Sequence, residues 1–142
     1  MLKGIPAIIS PELLKILCEM GHGDEIVIGD GNFPAASNAQ RLIRMDGHGV
    51  PEILDAVLKL IPLDTYVESP AMLMATTAGD PTPVIWAEYE DIITKNNGNT
   101  NISQIERFDF YERTRKAYAV IATSESALYA NIILKKGVVV DK

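Results

Sequence analysis

Residues 20–34 read "MGHGDEIVIGDGNFP", and the fold turns on how this stretch is interpreted. A histidine between two glycines leads into the apolar run "IVI", which ends at Asp30 in a glycine-rich turn. An uninterrupted apolar run this short, bounded by turn residues, predicts a strand covered on both faces, as parallel strands are. His22 falls just before that strand and Asp30 at its C-terminal end. Each has an ordinary reading: His22 as a turn residue, and Asp30 as half of an Asp-Gly turn in which the carboxylate bonds its own backbone. Each also has a chemical one. An imidazole that titrates near neutrality can give and take a proton, and a carboxylate at a strand end can accept hydrogen bonds from ligand hydroxyls.

On the N-terminal side, "ISPELLKILCEMG" predicts a helix. Ser10 can cap it, Pro11 suits its first turn, Leu13, Leu14, Leu17 and Met20 recur at helical spacing, and Gly21 follows as the stop. Cys18 lies beside that stripe and is expected to be a small buried side chain. Toward the C-terminus, "FPAASNAQ" reads as loop and "RLIRM" as a short strand. "PEILDAVLKLIPL" is a second helix, with Ile53, Leu54, Val57, Leu58 and Ile61 on one face. "PAMLMATT" predicts another strand, "VIWAEYEDIITK" a third helix and "NISQIERF" an alternating strand. "DFYERTRKA" offers Asp109 as N-cap with Glu112 at capping-box spacing. "YAVIATSE" and "NIILKKGVVV" are two further strands. Trp86 and Tyr89 on the third helix fit core or interface positions.

Helices alternating with short apolar strands predict an α/β protein: a single domain over residues 1–142, three-layer α/β/α, with a mostly parallel mixed sheet. In such sheets ligands collect outside the carboxyl ends of the strands. Asp30 ends one strand. Arg107 closes another, just ahead of a helix, where it is either a surface ion-pair partner of Glu106 or Glu112 or a fork of donors for sugar oxygens or a carboxylate.

Composition narrows the partners. The net charge of −6 argues against nucleic acid, whose phosphates call for a basic stripe. The densest basic segment, "ERTRKAY", reads as a solvated helix face. No apolar run has the length of a membrane span, and the N-terminus lacks the features of a secretory signal. A single cysteine allows no intrachain disulfide, so a cytoplasmic protein is expected. His48 in "DGHGVP" invites pairing with His22 at a metal, but no further ligands stand at metal-site spacing, so no metal is expected.

Three blocks, "ISPELLKILCEMGHGDEIVIGDGNFPA", "ERFDFYERTRKAYAVI" and "YANIILKKGV", resemble in this order the signature segments of the RbsD/FucU family of sugar mutarotases. The "RFDFYER" run is similar to the branch acting on L-fucose. The alanine of "YAN", where that branch more often has glycine, and His48 depart from the family pattern. The resemblance implies an isomerase that interconverts the α and β anomers of L-fucose by opening and reclosing the hemiacetal, with no cofactor. It assigns His22 as acid/base, and Asp30, Arg107, Tyr129, Ala130 and Asn131 as sugar-binding residues. It also implies a homo-oligomer with sites near subunit boundaries. Phe108 or Tyr111 is expected to supply an apolar wall for a sugar methyl. A ribose pyranase-type activity on another aldose, or a non-catalytic sugar-binding accessory to transport, are the alternatives, and His22 discriminates because binding alone needs no titrating group.

Overall fold

The computed structural model describes residues 1–141. Its elements run α1 (Pro11–Glu19), β1 (Glu25–Gly29), α2 (Ala35–Asn38), β2 (Leu42–Met45), α3 (Val50–Leu58), β3 (Ala71–Met74), α4 (Ile85–Asn97), β4 (Ile102–Ile105), α5 (Arg107–Lys116), β5 (Ala119–Thr123) and β6 (Ile132–Lys135). The six strands form one sheet in the order β2-β5-β1-β6-β3-β4. β1, β2 and β5 pair in parallel, as do β3 and β4, whereas β6 runs antiparallel to both of its neighbours, β1 and β3. The sheet is therefore mixed and mostly parallel, as expected.

Strand periodicity sends alternate residues to opposite faces, and both faces are buried. Ile26, Ile28, Ile121, Ile132 and Leu134 join Leu13, Leu17, Ile53, Leu54 and Tyr89 of α1, α3 and α4 on one side. Val27, Val120 and Ile133 join Phe33 and Phe110, beside α2 and on α5, on the other. This double cover makes three layers and explains why β1 and β5 carry almost no polar residues. Each fully buried Val, Leu or Ile contributes roughly 1.5–3 kcal/mol.

Local signals account for most element ends. The Ser10 hydroxyl accepts the amide of Leu13 at 3.1 Å, and Pro11 opens α1. Three local expectations are corrected. The segment read as loop contains the single turn of α2. Helix α5 begins at Arg107 instead of being capped by Asp109: Glu106 is extended, and its carboxylate accepts the amide of Phe108. Arg107 is thus the first helical residue and not a strand end. Cys18 is exposed, because one step from Leu17 rotates it about 100° off the buried stripe. The basic stretch is also less uniform than read, since Arg113 is largely covered and pairs with Glu25 at the start of β1.

Candidate functional site

The antiparallel strand β6 decides where the site lies. Its first residues stand at the same edge as the last residues of its antiparallel neighbours β1 and β3. The register pairs Ile28 with Ile132, so Asp30, just past β1, meets Ala130 and Asn131, just before β6. The Asp30 amide donates to Asn131 Oδ1 at 2.7 Å, and the Ala130 amide donates to Asp30 Oδ2 at 3.3 Å. Asp30 Oδ1 also accepts from the Asn32 amide at 3.0 Å. Both side chains are buried within the protein. Burial pushes the Asp30 carboxyl above the usual carboxylate value, against the hydrogen bonds from Asn32, Ala130 and Phe33 amides, and the charge of Glu125 adds to the rise.

Above this pair opens a cleft of 280 Å³, rimmed by Asp30, Phe33, Arg107, Tyr111, Tyr129 and Asn131. Arg107 enters it from the first turn of α5. Its Nε donates to the Tyr111 hydroxyl at 3.0 Å, and its guanidinium stands 5.3 and 5.4 Å from the ring centres of Phe108 and Tyr111. This clasp aims a planar fork with its Nη donors unspent on the expected partners Glu106 and Glu112. Phe33 forms an apolar wall, held 5.7 Å from both Phe110 and Tyr111. Of the two residues expected as a wall, Tyr111 lines the cleft, whereas Phe108 is exposed outside its lining.

Tyr129 has a left-handed backbone, φ 54°, which costs a non-glycine residue roughly 1–2 kcal/mol. The surroundings hold it there. Trp86 Nε1 donates to the Tyr129 carbonyl and the Tyr89 hydroxyl to the Ala130 carbonyl, both at 2.8 Å. The Tyr129 hydroxyl bonds Asp80 and Thr77. Trp86 and Tyr89, read from sequence as core or interface, are buried and also brace the sugar-binding candidates through α4. Thr77 and Asp80 had no sequence signal: Asp80 meets Tyr129 across 49 residues.

His22 is not in this cleft. It lies in the turn before β1, whereas Asp30 follows β1, and the strand's five residues alone span about 17 Å. There Nε2 lies 2.9 Å from Asp64 Oδ1, the ring packs tilted against Tyr66 at 5.2 Å, and 45% of the side chain is exposed. His48 is elsewhere again, bonded to Glu52 in the first turn of α3. A larger cavity of 440 Å³ lies under residues 1–14, lined by apolar side chains and Ser10. It offers no acid or base side chain; the candidate site is the Asp30 cleft, where Asp30, Arg107 and Asn131 converge beside aromatic rings.

Known proteins share this fold and much of this sequence. Residues 3–139 match the model of the RbsD / FucU transport protein family. Human fucose mutarotase is 57% identical over 145 residues, covering 96% of this chain and 94% of that protein. The fucose mutarotase of Streptococcus pneumoniae, solved in complex with L-fucose, superposes with a TM-score of 0.94 at 56% identity, covering 98% of this chain and 100% of that one. FucU from Bifidobacterium longum gives 0.93 at 56% identity, covering 97% and 100%.

Proposed function

The chain belongs to the RbsD/FucU family, and on that premise we propose that it is a mutarotase interconverting the α and β anomers of L-fucose. The observation that carries this reading is the convergence of Asp30, Arg107 and Asn131 on one cleft with an aromatic wall, in a chain more than half identical to proteins named for that activity. Asp30 accepts from sugar hydroxyls, Arg107 donates through its Nη groups, and the Tyr129, Ala130 and Asn131 segment completes the grip. Phe33 and Tyr111 face the apolar side of a deoxy sugar.

Ring opening removes a proton from the anomeric hydroxyl and adds one to the ring oxygen. The carbonyl carbon then turns, and closure on its other face reverses both transfers. No electrons leave the sugar, and the reaction runs unaided in water, so one positioned acid/base beside a held substrate suffices. His22 takes that role. Because it stands at the opposite end of β1, its partner in this reading is the cleft of a second copy, and the enzyme works as a homo-oligomer with sites at subunit boundaries. A contact joining one end of the chain to the other end of its neighbour is head-to-tail and closes into a ring when the rotation permits.

The net charge of −6 suits a neutral sugar better than nucleic acid. Among the described residues no helix is long and apolar enough to cross a membrane. We assign the enzyme to the cytoplasm on its lone cysteine.

Saturation transfer between the anomeric proton signals of L-fucose, with D-ribose in parallel, tests the reading. Transfer between α- and β-fucose that requires the protein is the expected result. Line broadening without transfer would make the protein a sugar binder and not an enzyme.

A further inference from the structure

The acid/base assignment of His22 leaves open which ring nitrogen works, and what holds it. Asp64 answers both. Its side chain is only 4% exposed, and a buried carboxylate with no partner is costly. Its partners are specific: Oδ1 lies 2.9 Å from His22 Nε2 and accepts the Tyr66 amide at 3.1 Å, while its own amide is tied to the Lys135 carbonyl at 3.0 Å. The carboxylate is therefore anchored on the β6 end of the sheet and does not follow the histidine turn. On the other side, Gly23 turns the chain at φ +87° and donates to the Lys136 carbonyl at 2.9 Å, so the His22 backbone is tied to the same strand end. The Tyr66 ring packs tilted against the imidazole at 5.2 Å.

An ionised carboxylate only accepts hydrogen bonds. Burial raises the Asp64 carboxyl, but the hydrogen bonds from His22 and Tyr66 and the charges of His22 and Lys135 outweigh it, leaving Asp64 below its ordinary value. It is an anion at neutral pH, so Nε2 carries the proton and Nδ1 keeps the lone pair.

We propose that Asp64 is a positioning residue for the mutarotase reaction, which locks His22 in the Nε2–H tautomer and so makes Nδ1 the atom that exchanges protons with the sugar. This rests on His22 being the acid/base. The arrangement has two effects. The proton-accepting nitrogen is defined before the sugar arrives, and the imidazolium formed when Nδ1 takes a proton is stabilised by a carboxylate that needs no reorganisation. Asp64 itself neither touches the sugar nor changes protonation.

The test is nitrogen-15 NMR of the imidazoles at a pH where they are neutral. Changing His48, the only other histidine, to Gln leaves His22 alone in the spectrum. His22 is expected to show a protonated Nε2 and an unprotonated Nδ1. In Asp64→Ala the two nitrogen shifts should converge as the tautomers mix, and kcat should fall about ten- to a hundredfold with KM within about twofold. A purely structural role would leave the tautomer unmoved. Asp64→Asn keeps the Oδ1 acceptor and serves if the alanine protein does not fold. It should retain Nε2–H yet lose about tenfold in kcat, because a neutral amide stabilises imidazolium less. A protonated Nδ1 in the unaltered protein, an unchanged tautomer in Asp64→Ala, or full kcat in Asp64→Asn would each overturn the proposal. Full activity in His22→Gln would instead remove the acid/base assignment, while the tautomer result, which needs no turnover, would stand.

Discussion

Two impaired variants should restore activity when mixed, because His22 and the cleft are separated by the length of β1. His22→Gln keeps every cleft and removes every acid/base. Arg107→Met keeps every His22 turn and weakens every cleft. Losing a positioned acid/base costs about 10²–10⁴-fold, and losing a charged hydrogen bond about 1.5–3 kcal/mol, or roughly ten- to a hundredfold. The average of the two pure variants is thus about 5% of wild type at most. In a random 1:1 mixture of subunits, half the clefts are intact, and half of those face an intact His22. About one quarter of all sites are then complete, and activity should rise to about 25% of wild type. At 3:1 the fraction falls to about 19%, so recovery follows a parabola centred on equal mixing. The variants would be co-refolded or co-expressed with different tags, and L-fucose anomer exchange measured by NMR. Activity that stays at the average of the pure variants at every ratio, in oligomers shown by the tags to be mixed, would refute the shared site.

Three other outcomes are expected. Gly29→Ala builds a Cβ 2.7–2.9 Å from Phe33 side-chain atoms, so the ring that walls the cleft must shift. Thermal unfolding should show a loss of about 1–3 kcal/mol, with weaker L-fucose binding, and an unchanged melting temperature would show that Phe33 yields freely. Tyr89→Phe strips the Ala130 carbonyl of its buried donor and should cost about 1–3 kcal/mol in denaturant unfolding; a neutral result would mean that the brace is not needed. For Asp30, burial raises the folded carboxyl above its value of 3.8, so its contribution is full below that value and is lost as pH rises through the folded one. Wild type should therefore lose stability relative to Asp30→Asn as pH is raised from below 3.8 toward neutrality, and a melting-temperature difference independent of pH would contradict the burial argument.

The sequence by itself determined the layers and every element but α2. Apolar runs such as "IVI" and "AVIA" are covered on both faces wherever they fold, so their pattern alone calls for a sheet between helices. The caps at Ser10 and Pro11 are equally local. It also supplied the residue types of the site, through blocks that resemble a known family. Where local reading failed, one signal displaced another. Glu106, two residues from the amide it accepts, outranked Asp109 as the α5 cap, whereas a tertiary contact drew Arg113 from the solvated face to Glu25 across the protein.

What only the tertiary structure decided is which chemical groups meet. The reversal of β6 cannot be read from its apolar pattern, yet it brings Tyr129, Ala130 and Asn131 to the end of β1, beside Asp30. Trp86 and Tyr89 reach the same segment from another helix. The opening stretch holds the sharpest case. Its histidine and aspartate are eight residues apart, but an extended strand separates what a turn would join. It carries His22 to Asp64 and Asp30 to Asn131, at opposite ends of the sheet, because a strand buried on both faces has no freedom to fold back on itself.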